Sequence, residues 1–168
     1  MSFPQINDDA LIDRLSRVAD RMSDTTPLSA AIANTFATIT DDNFDAGGRP
    51  KWAGLSPDRS EPSYLFKSGN LRRNITTQHT RDQATIGTTV PYAAILHNGG
   101  RTRPHVIRPK NKKALSFNGM VFKQVNHPGS KFPARPFLPM DERGFLQREA
   151  EVAVFDDVDF YWHRSFTR

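Results

Sequence analysis

The sequence predicts an α+β fold, in which a small antiparallel sheet packs with an N-terminal helix pair and further helices and carries a long basic β-arm. Apolar residues recur at helical spacing near both ends of the chain, and short β-rich runs separated by turn sequences lie between them. The chain of 168 residues has the length of one ordinary domain. We therefore expect a single domain over residues 1–154, with a protruding arm over about 101–131, followed by an aromatic tail over 155–168.

Two helices are predicted at the N-terminus. The apolar stripe of the first helix follows Asp8-Asp9 and consists of Leu11, Leu15, Val18 and Met22. The second helix starts at Thr26-Pro27, where a hydroxyl cap precedes a proline at the first helical position. It should end before Gly47-Gly48. Because few residues separate the two helices, we expect them to form an antiparallel pair.

The next part of the chain combines a loop with a hairpin. Glycine and proline are frequent in residues 47–63, which predicts a loop, and Trp52 is expected to anchor that loop in the core. A short helical turn is expected over 64–71. Threonine-rich and alternating apolar residues then predict an antiparallel hairpin from strands 74–80 and 84–90.

The second half of the chain begins with a short helix over 92–97, which Asn98-Gly99-Gly100 should stop. Two strands flank Asn118-Gly119, a strong signal for a two-residue hairpin turn. The surrounding residues, 101–131, are too basic and polar for a core, so we expect them to protrude. Apolar residues at helical spacing predict a last helix over 141–154.

The net charge of +5 is unevenly distributed. Residues 1–46 carry eight acids and three arginines, and residues 149–160 carry five acids and no base. Between Arg101 and Arg135 there are nine bases and no acid. The expected partner of this basic stretch is a phosphate backbone, or an acidic surface on another copy or another protein, unless it is merely a solvated face. The candidate contact residues are Arg101, Arg103, Arg108, Lys110, Lys112, Lys113 and Arg135.

Nothing in the sequence predicts an enzyme, a cofactor site or a metal site. Cysteine is missing, which excludes disulfides and thiolate ligands. No acid falls between Asp82 and Asp141 to complete a metal site with histidines of that region. Phosphate-cradling and nucleophile-elbow motifs are also missing. We expect no signal peptide and no membrane span, because no apolar stretch approaches ~20 residues.

Several short motifs occur in a recognisable order. They are Trp52, Ser68-Gly69-Asn70-Leu71, Ile86-Gly87-Thr88, Tyr92-Ala93 followed by Gly99-Gly100, and Ala134-Arg135-Pro136-Phe137-Leu138. The ordered set covers roughly residues 44–140 and resembles the phage virion morphogenesis (tail completion) family of Mu-like phages and the related minor tail or neck proteins of lambdoid phages. The residues expected to act as structural positions of this family are Trp52, Gly69, Leu71, Gly87, Tyr92, Ala93, Gly99, Gly100, Pro136 and Phe137.

The resemblance implies a structural virion protein of a tailed phage, either a tail completion (terminator) protein or a head–tail connector of the neck. It implies a ring of identical copies, expected as a hexamer, that contacts the tail tube or sheath and the neck or portal-adaptor proteins. Genomic DNA would pass through the lumen without sequence-specific contacts, and neither a membrane nor a cofactor would take part. The protein would reside in the virion and, during assembly, in the host cytoplasm. The alternative is a non-specific DNA-binding accessory protein.

Two expectations concern individual motif residues. Arg135 lies between Pro133 and Pro136 on a stiff backbone. Its guanidinium could form a bidentate pair with a carboxylate of a neighbouring copy, or an intrachain pair that fixes its own loop. Tyr92 and Phe137 are expected in the core rather than at an interface.

Overall fold

The computed structural model of the chain describes residues 8–52, 65, 68–110, 113–117, 119–141 and 143–167. It confirms the α+β class, with long helices towards both ends and short antiparallel strands between them. The helices in these residues are α1 (Asp9–Ser23), α2 (Thr26–Ala46), α3 (Asn70–Arg73), α4 (Ala93–Asn98) and α5 (Arg148–Thr167). The strands are β1 (Ile75–His79), β2 (Ala84–Thr88), β3 (Gly100–Arg101), β4 (His105–Ile107), β5 (Leu115–Phe117), β6 (Met120–Phe122), β7 (Val125–His127) and β8 (Lys131–Phe132).

Helix α2 is the central element of the fold. It packs against both strands of the β1–β2 hairpin and against α5. The hairpin is antiparallel, with Ile75 opposite Thr88 and His79 opposite Ala84, as the sequence predicts. The end of α2 before Gly47 is also confirmed. The buried residues of α2 are Ser29, Ala33, Phe36, Ile39, Thr40, Asn43 and Phe44.

Both predicted N-terminal helices form, but α1 packs against α5 rather than along α2. The reason is that α2 already packs on the hairpin and on α5, which leaves it little apolar surface for a further helix. Val18 in the predicted stripe of α1 is buried, whereas Leu11 and Leu15 are exposed. The hydroxyl group of Tyr161 donates a hydrogen bond of 3.0 Å to the carbonyl oxygen of Arg21, which ties the end of α1 to α5.

The last helix begins and ends later than predicted. It is α5, whereas the prediction placed a helix over 141–154 and left 155–168 as a tail without helical periodicity. The residues after Asp141 form a turn instead, because its carboxylate accepts hydrogen bonds from the backbone N–H groups of Arg143 and Phe145, both at 2.9 Å. The aromatic residues that follow are helical through residue 167.

The segment between α4 and α5 forms short ladders rather than one continuous hairpin. Strand β3 pairs with β8, β4 with β7, and β5 with β6, all antiparallel. The predicted hairpin around Asn118-Gly119 is confirmed by the β5–β6 pair, although Asn118 lies outside the described residues. The long protruding arm over 101–131 stays a prediction, because these strands are short and residues 111–112 are not among those described.

The main core lies where the end of α2, α3, α4 and the segment after β8 meet. Its buried members are Phe44, Trp52, Leu71, Val90, Ala93 and Phe137. Residues 64, 66 and 67 of the helical turn predicted over 64–71 fall outside the described residues, and the helix found there, α3, starts at Asn70.

Candidate interaction surface

Most of the family-motif residues build the core. Trp52, Leu71, Ala93 and Phe137 belong to one buried cluster. The indole Nε1 of Trp52 donates a hydrogen bond of 2.9 Å to the carbonyl oxygen of Pro136. Both the anchoring of Trp52 in the core and the burial of Phe137, which is 1% exposed, are therefore confirmed. These residues define the shape of the molecule rather than a binding surface.

The motif glycines differ in what they contribute. Gly99 has φ 73°, and a side chain there would come within 2.7 Å of the backbone nitrogen of Ala134, so the position requires glycine. Gly69 is buried at the start of α3. Gly100 is the first residue of β3. Gly87 lies in β2 with open space beside it, and nothing in the described structure explains a glycine there.

Two motif residues, Tyr92 and Arg135, need comparison with their predicted roles. Tyr92 is 44% exposed, so its predicted core position is wrong, and its hydroxyl accepts a hydrogen bond of 3.1 Å from Nδ2 of Asn70. Arg135 is 9% exposed, and its backbone N–H donates to the carbonyl oxygen of Leu96 at 2.9 Å. The burial of Arg135 favours its intrachain role over a contact with a neighbouring copy.

A buried polar network connects the motif segment to the helices. The Nδ1 atom of His97 accepts a hydrogen bond of 3.2 Å from the backbone N–H of Phe137, so Nε2 carries the hydrogen and donates to the carbonyl oxygen of Met140 at 3.0 Å. Burial lowers the pKa of His97 because it disfavours the imidazolium form. On the opposite side, Nδ2 of Asn43 donates to the carbonyl oxygen of Phe137 at 3.1 Å. Sequence spacing gives no signal for this network, because its members are far apart along the chain.

The other candidate contact residues lie on exposed loops and strand ends of residues 101–131, here called the basic segment. Those within the described residues are Arg101, Arg103, Arg108, Lys110 and Lys113, and all five are exposed. Lys112 lies outside the described residues. No described carboxylate lies within 4.0 Å of the charged groups of these five side chains. The described part of the basic segment therefore presents positive charge that no described carboxylate neutralises.

Negative charge is partly neutralised at one end of α2 but not along α5. Arg72 binds Asp41 and Asp45 at 2.8 and 2.5 Å, and its hydrogen bond lowers the pKa of Asp45. In α5, Asp157 accepts a hydrogen bond from Thr35 and faces α2. The exposed acids of α5 are Glu149, Glu151, Asp156 and Asp159. Of these four, Asp159 has its carboxylate 3.3 Å from Nδ1 of His163, which forms an ion pair with it only when the imidazole is protonated.

The solvent-facing side of α5 also carries large apolar side chains, which the sequence analysis missed. Val152, Phe155, Trp162 and Phe166 are separated by three, seven and four residues, which places them on one helix face together with Asp159. This face, here called the outer face of α5, consists of Val152, Phe155, Asp159, Trp162 and Phe166, all exposed. The signal was present in the sequence. It was overlooked because α5 is apolar on its inner side as well, which hides the usual single-sided periodicity.

The described residues show no arrangement typical of catalysis. An open groove of about 640 Å³ lies beside the ends of α1, α2 and α5, and its lining includes Ser165. The Ser165 hydroxyl donates to the carbonyl oxygen of Tyr161 at 2.9 Å rather than to a base. Nowhere in the described chain do three histidine or acidic side chains come close enough to hold a metal ion. None of its helices combines the length and the apolar character needed to cross a membrane.

A small α+β body with separate, oppositely charged exposed surfaces is typical of proteins that act by contact with other macromolecules. Sequence comparison identifies the family to which the chain belongs. The sequence model of the phage virion morphogenesis family matches residues 6–160, and the chain belongs to that family. The match extends beyond residues 44–140, where the motifs lie, and includes both N-terminal helices and most of α5.

A curated relative supports the same assignment. The chain is 31% identical to "Mu-like prophage FluMu G protein 2" of Haemophilus influenzae over 156 residues, which cover 93% of this chain and 91% of the relative. No solved structure matches the chain. The predicted family is therefore confirmed, and the protein has a structural role in phage morphogenesis.

Proposed function

We propose that the protein completes the tail of a tailed phage, or connects the tail to the head, as a ring of identical copies at the head–tail junction. Membership of the virion morphogenesis family supports a role in building the particle. The observation that carries the finer proposal is the separation of exposed positive charge on the basic segment from exposed negative charge on α5. Complementary surfaces at different places on one subunit suit head-to-tail contacts, and such contacts form a ring when the rotation between copies closes.

The proposed role is architectural rather than enzymatic. The buried core around Phe137 would supply a rigid body, and the exposed charged surfaces would supply the contacts. The partners would be other copies of the chain in a hexameric ring, the tail tube or sheath, and the neck or portal-adaptor proteins. Genomic DNA would pass through the lumen and meet only non-specific backbone contacts from basic side chains. The protein would thus reside in the tail or neck of the virion and in the host cytoplasm during assembly.

A gene deletion tests this proposal. A phage without the gene should yield filled heads and separate tails that do not join, as seen by electron microscopy of lysates, and the wild-type gene supplied in trans should restore joining. Normal infectious particles from the deletion phage would contradict the proposal.

Charge reversal in the basic segment extends the test to the residues. A chain with Lys110→Glu, Lys112→Glu and Lys113→Glu should fold normally yet fail to restore joining. A matched control reverses three exposed bases outside the basic segment, with the substitutions Arg14→Glu, Arg17→Glu and Arg143→Glu. The control chain should restore joining, because the proposal assigns the contacts to the basic segment.

The second candidate is a non-specific DNA-binding accessory protein, which the exposed positive charge on the described part of the basic segment favours. Each phosphate neutralised on duplex DNA contributes about −0.9 to the slope of log affinity against log salt. Titration of duplex DNA at several salt concentrations separates the candidates. A steep slope that the triple lysine reversal flattens would support DNA contact by this segment, whereas no binding at low salt would exclude DNA binding as the main role.

A further inference from the structure

The outer face of α5 has the composition of a buried surface although it faces solvent. Phe155 is 65% exposed, and Trp162 and Phe166 stack on each other with ring centroids 6.0 Å apart. No described residue from another element covers this face, since the packed side of α5 is the one that contacts α1 and α2. Large apolar side chains that share one exposed helix face, here interrupted by Asp159, mark a surface that another element covers.

Acidic side chains flank the N-terminal half of this stripe. Glu149, Glu151 and Asp156 are exposed, and none of them has a cation within 4.0 Å among the described residues. A partner for this face must therefore offer apolar groups together with positive charge. An acidic partner, such as the phosphate backbone of DNA, would be repelled here.

The basic segment has the complementary composition. Its strands expose apolar side chains, including Val106, Met120 and Val121, of which Val121 is 71% exposed. Within the described residues, the bases Arg101, Arg103, Arg108, Lys110 and Lys113 have no carboxylate within 4.0 Å, and the segment contains no acid. Strands β5 and β6 pair in a fixed register, with Met120 opposite Phe117.

One chain does not bring these two surfaces together. Strands β4 to β7 pack chiefly on one another, whereas α5 packs on α1 and α2. A second copy of the chain supplies both missing partners at once, because each copy carries one basic apolar surface and one acidic apolar surface. Such a contact joins different patches on the two subunits, and repetition of it forms a closed ring when the rotation between neighbouring copies closes.

We propose that the basic segment of one copy docks on the outer face of α5 of the next copy. The inference rests on the proposed function, since it names the contact that would build the ring. Apolar contact with Val152 and Phe155 would supply most of the affinity, and the flanking acids would select the basic partner and fix its orientation. The basic segment would then face protein rather than DNA along the part that docks.

Two charge-reversed variants test the contact by complementation. The segment variant carries Lys110→Glu and Lys113→Glu, and the face variant carries Glu151→Lys and Asp156→Lys. Sedimentation velocity of the full chain at low salt and high protein concentration measures self-association. The wild type should form species larger than a dimer, each variant alone should sediment as a monomer, and an equimolar mixture should associate again. The mixture regains association because each variant keeps one wild-type surface, and the two reversed surfaces also attract each other.

Two further variants exclude trivial explanations. The control with Asp13→Lys and Asp20→Lys reverses exposed acids of α1 and should associate like the wild type. Phe155→Ser removes apolar contact without a change of charge and should weaken association on the order of tenfold or more. Urea unfolding of each variant should match the wild type, which shows that the loss concerns association rather than folding.

Several results would overturn the proposed contact. They are a wild-type chain that stays monomeric or stops at a dimer, a face variant that associates like the wild type, and a mixture that stays monomeric. A face variant that fully restores head–tail joining in the deletion phage would also overturn it while leaving the proposed function intact. Infectious particles from the deletion phage itself would instead remove the proposed function.

Discussion

Replacement of Phe137 by alanine tests whether the most recognisable motif of the family serves the core. Its side chain is almost fully buried and lies between Phe44 and His97, with ring centroids 5.6 and 5.0 Å away. Removal of a buried phenylalanine side chain costs about 3–5 kcal/mol, from lost transfer free energy and the cavity left behind. Because small domains are stable by about 5–15 kcal/mol, Phe137→Ala should leave the fold only marginally stable.

Urea unfolding of the isolated chain measures this effect. The midpoint should fall sharply with little change in the slope of unfolding free energy against urea, as expected for a loss of stability without a change of compactness. The control is Phe145→Ala, because Phe145 is 69% exposed and its removal should change the unfolding free energy by less than about 0.5 kcal/mol. If Phe137→Ala unfolds like the wild type yet fails to support assembly, Phe137 is an interface residue and the reasoning is refuted.

Two further predictions concern the hydrogen bonds of His97 and the backbone contact between Gly129 and Thr102. The folded pKa of His97 is lowered, so its stabilising effect is complete above the unfolded pKa of about 6.5 and is lost as pH falls towards the folded pKa, by at most about 1.4 kcal/mol per pH unit. Between pH 7 and 5, the unfolding free energy of His97→Gln should fall less than that of the wild type. Equal falls in the two proteins would contradict the prediction. Gly129→Ala should speed amide exchange at Thr102 more than Gly119→Ala does. The reason is that a Cβ at Gly129 would overlap the Thr102 carbonyl oxygen, whereas the space beside Gly119 is open. Equal exchange rates at Thr102 in the two variants would contradict this prediction.

The parts of the fold that follow from local pattern were predictable. The β1–β2 hairpin, the end of α2 at Gly47 and the anchoring of Trp52 each follow from residues close in sequence, such as alternating strands, a glycine stop and an aromatic residue in a loop. Family membership was predictable as well, because the motifs that indicate it include the core residues Trp52, Leu71, Ala93 and Phe137.

The parts that depend on tertiary contacts were not predictable. Neither the packing of α1 on α5 nor the hydrogen bond that the backbone N–H of Phe137 donates to His97 can be predicted from local spacing. The Asp141 turn displaced the predicted start of the last helix, since its carboxylate satisfies backbone N–H groups that a helix would otherwise use. The outer face of α5 was missed for a different reason, because a helix that is apolar on two sides shows little net periodicity.

A reconstruction of the neck of the intact phage particle by electron cryo-microscopy tests the central claim most directly. The account predicts a closed ring of this chain at the head–tail junction, with the basic segment of each copy lying against Phe155 and its neighbours on α5 of the next copy. Particles that join head and tail without this protein at the junction would contradict the account.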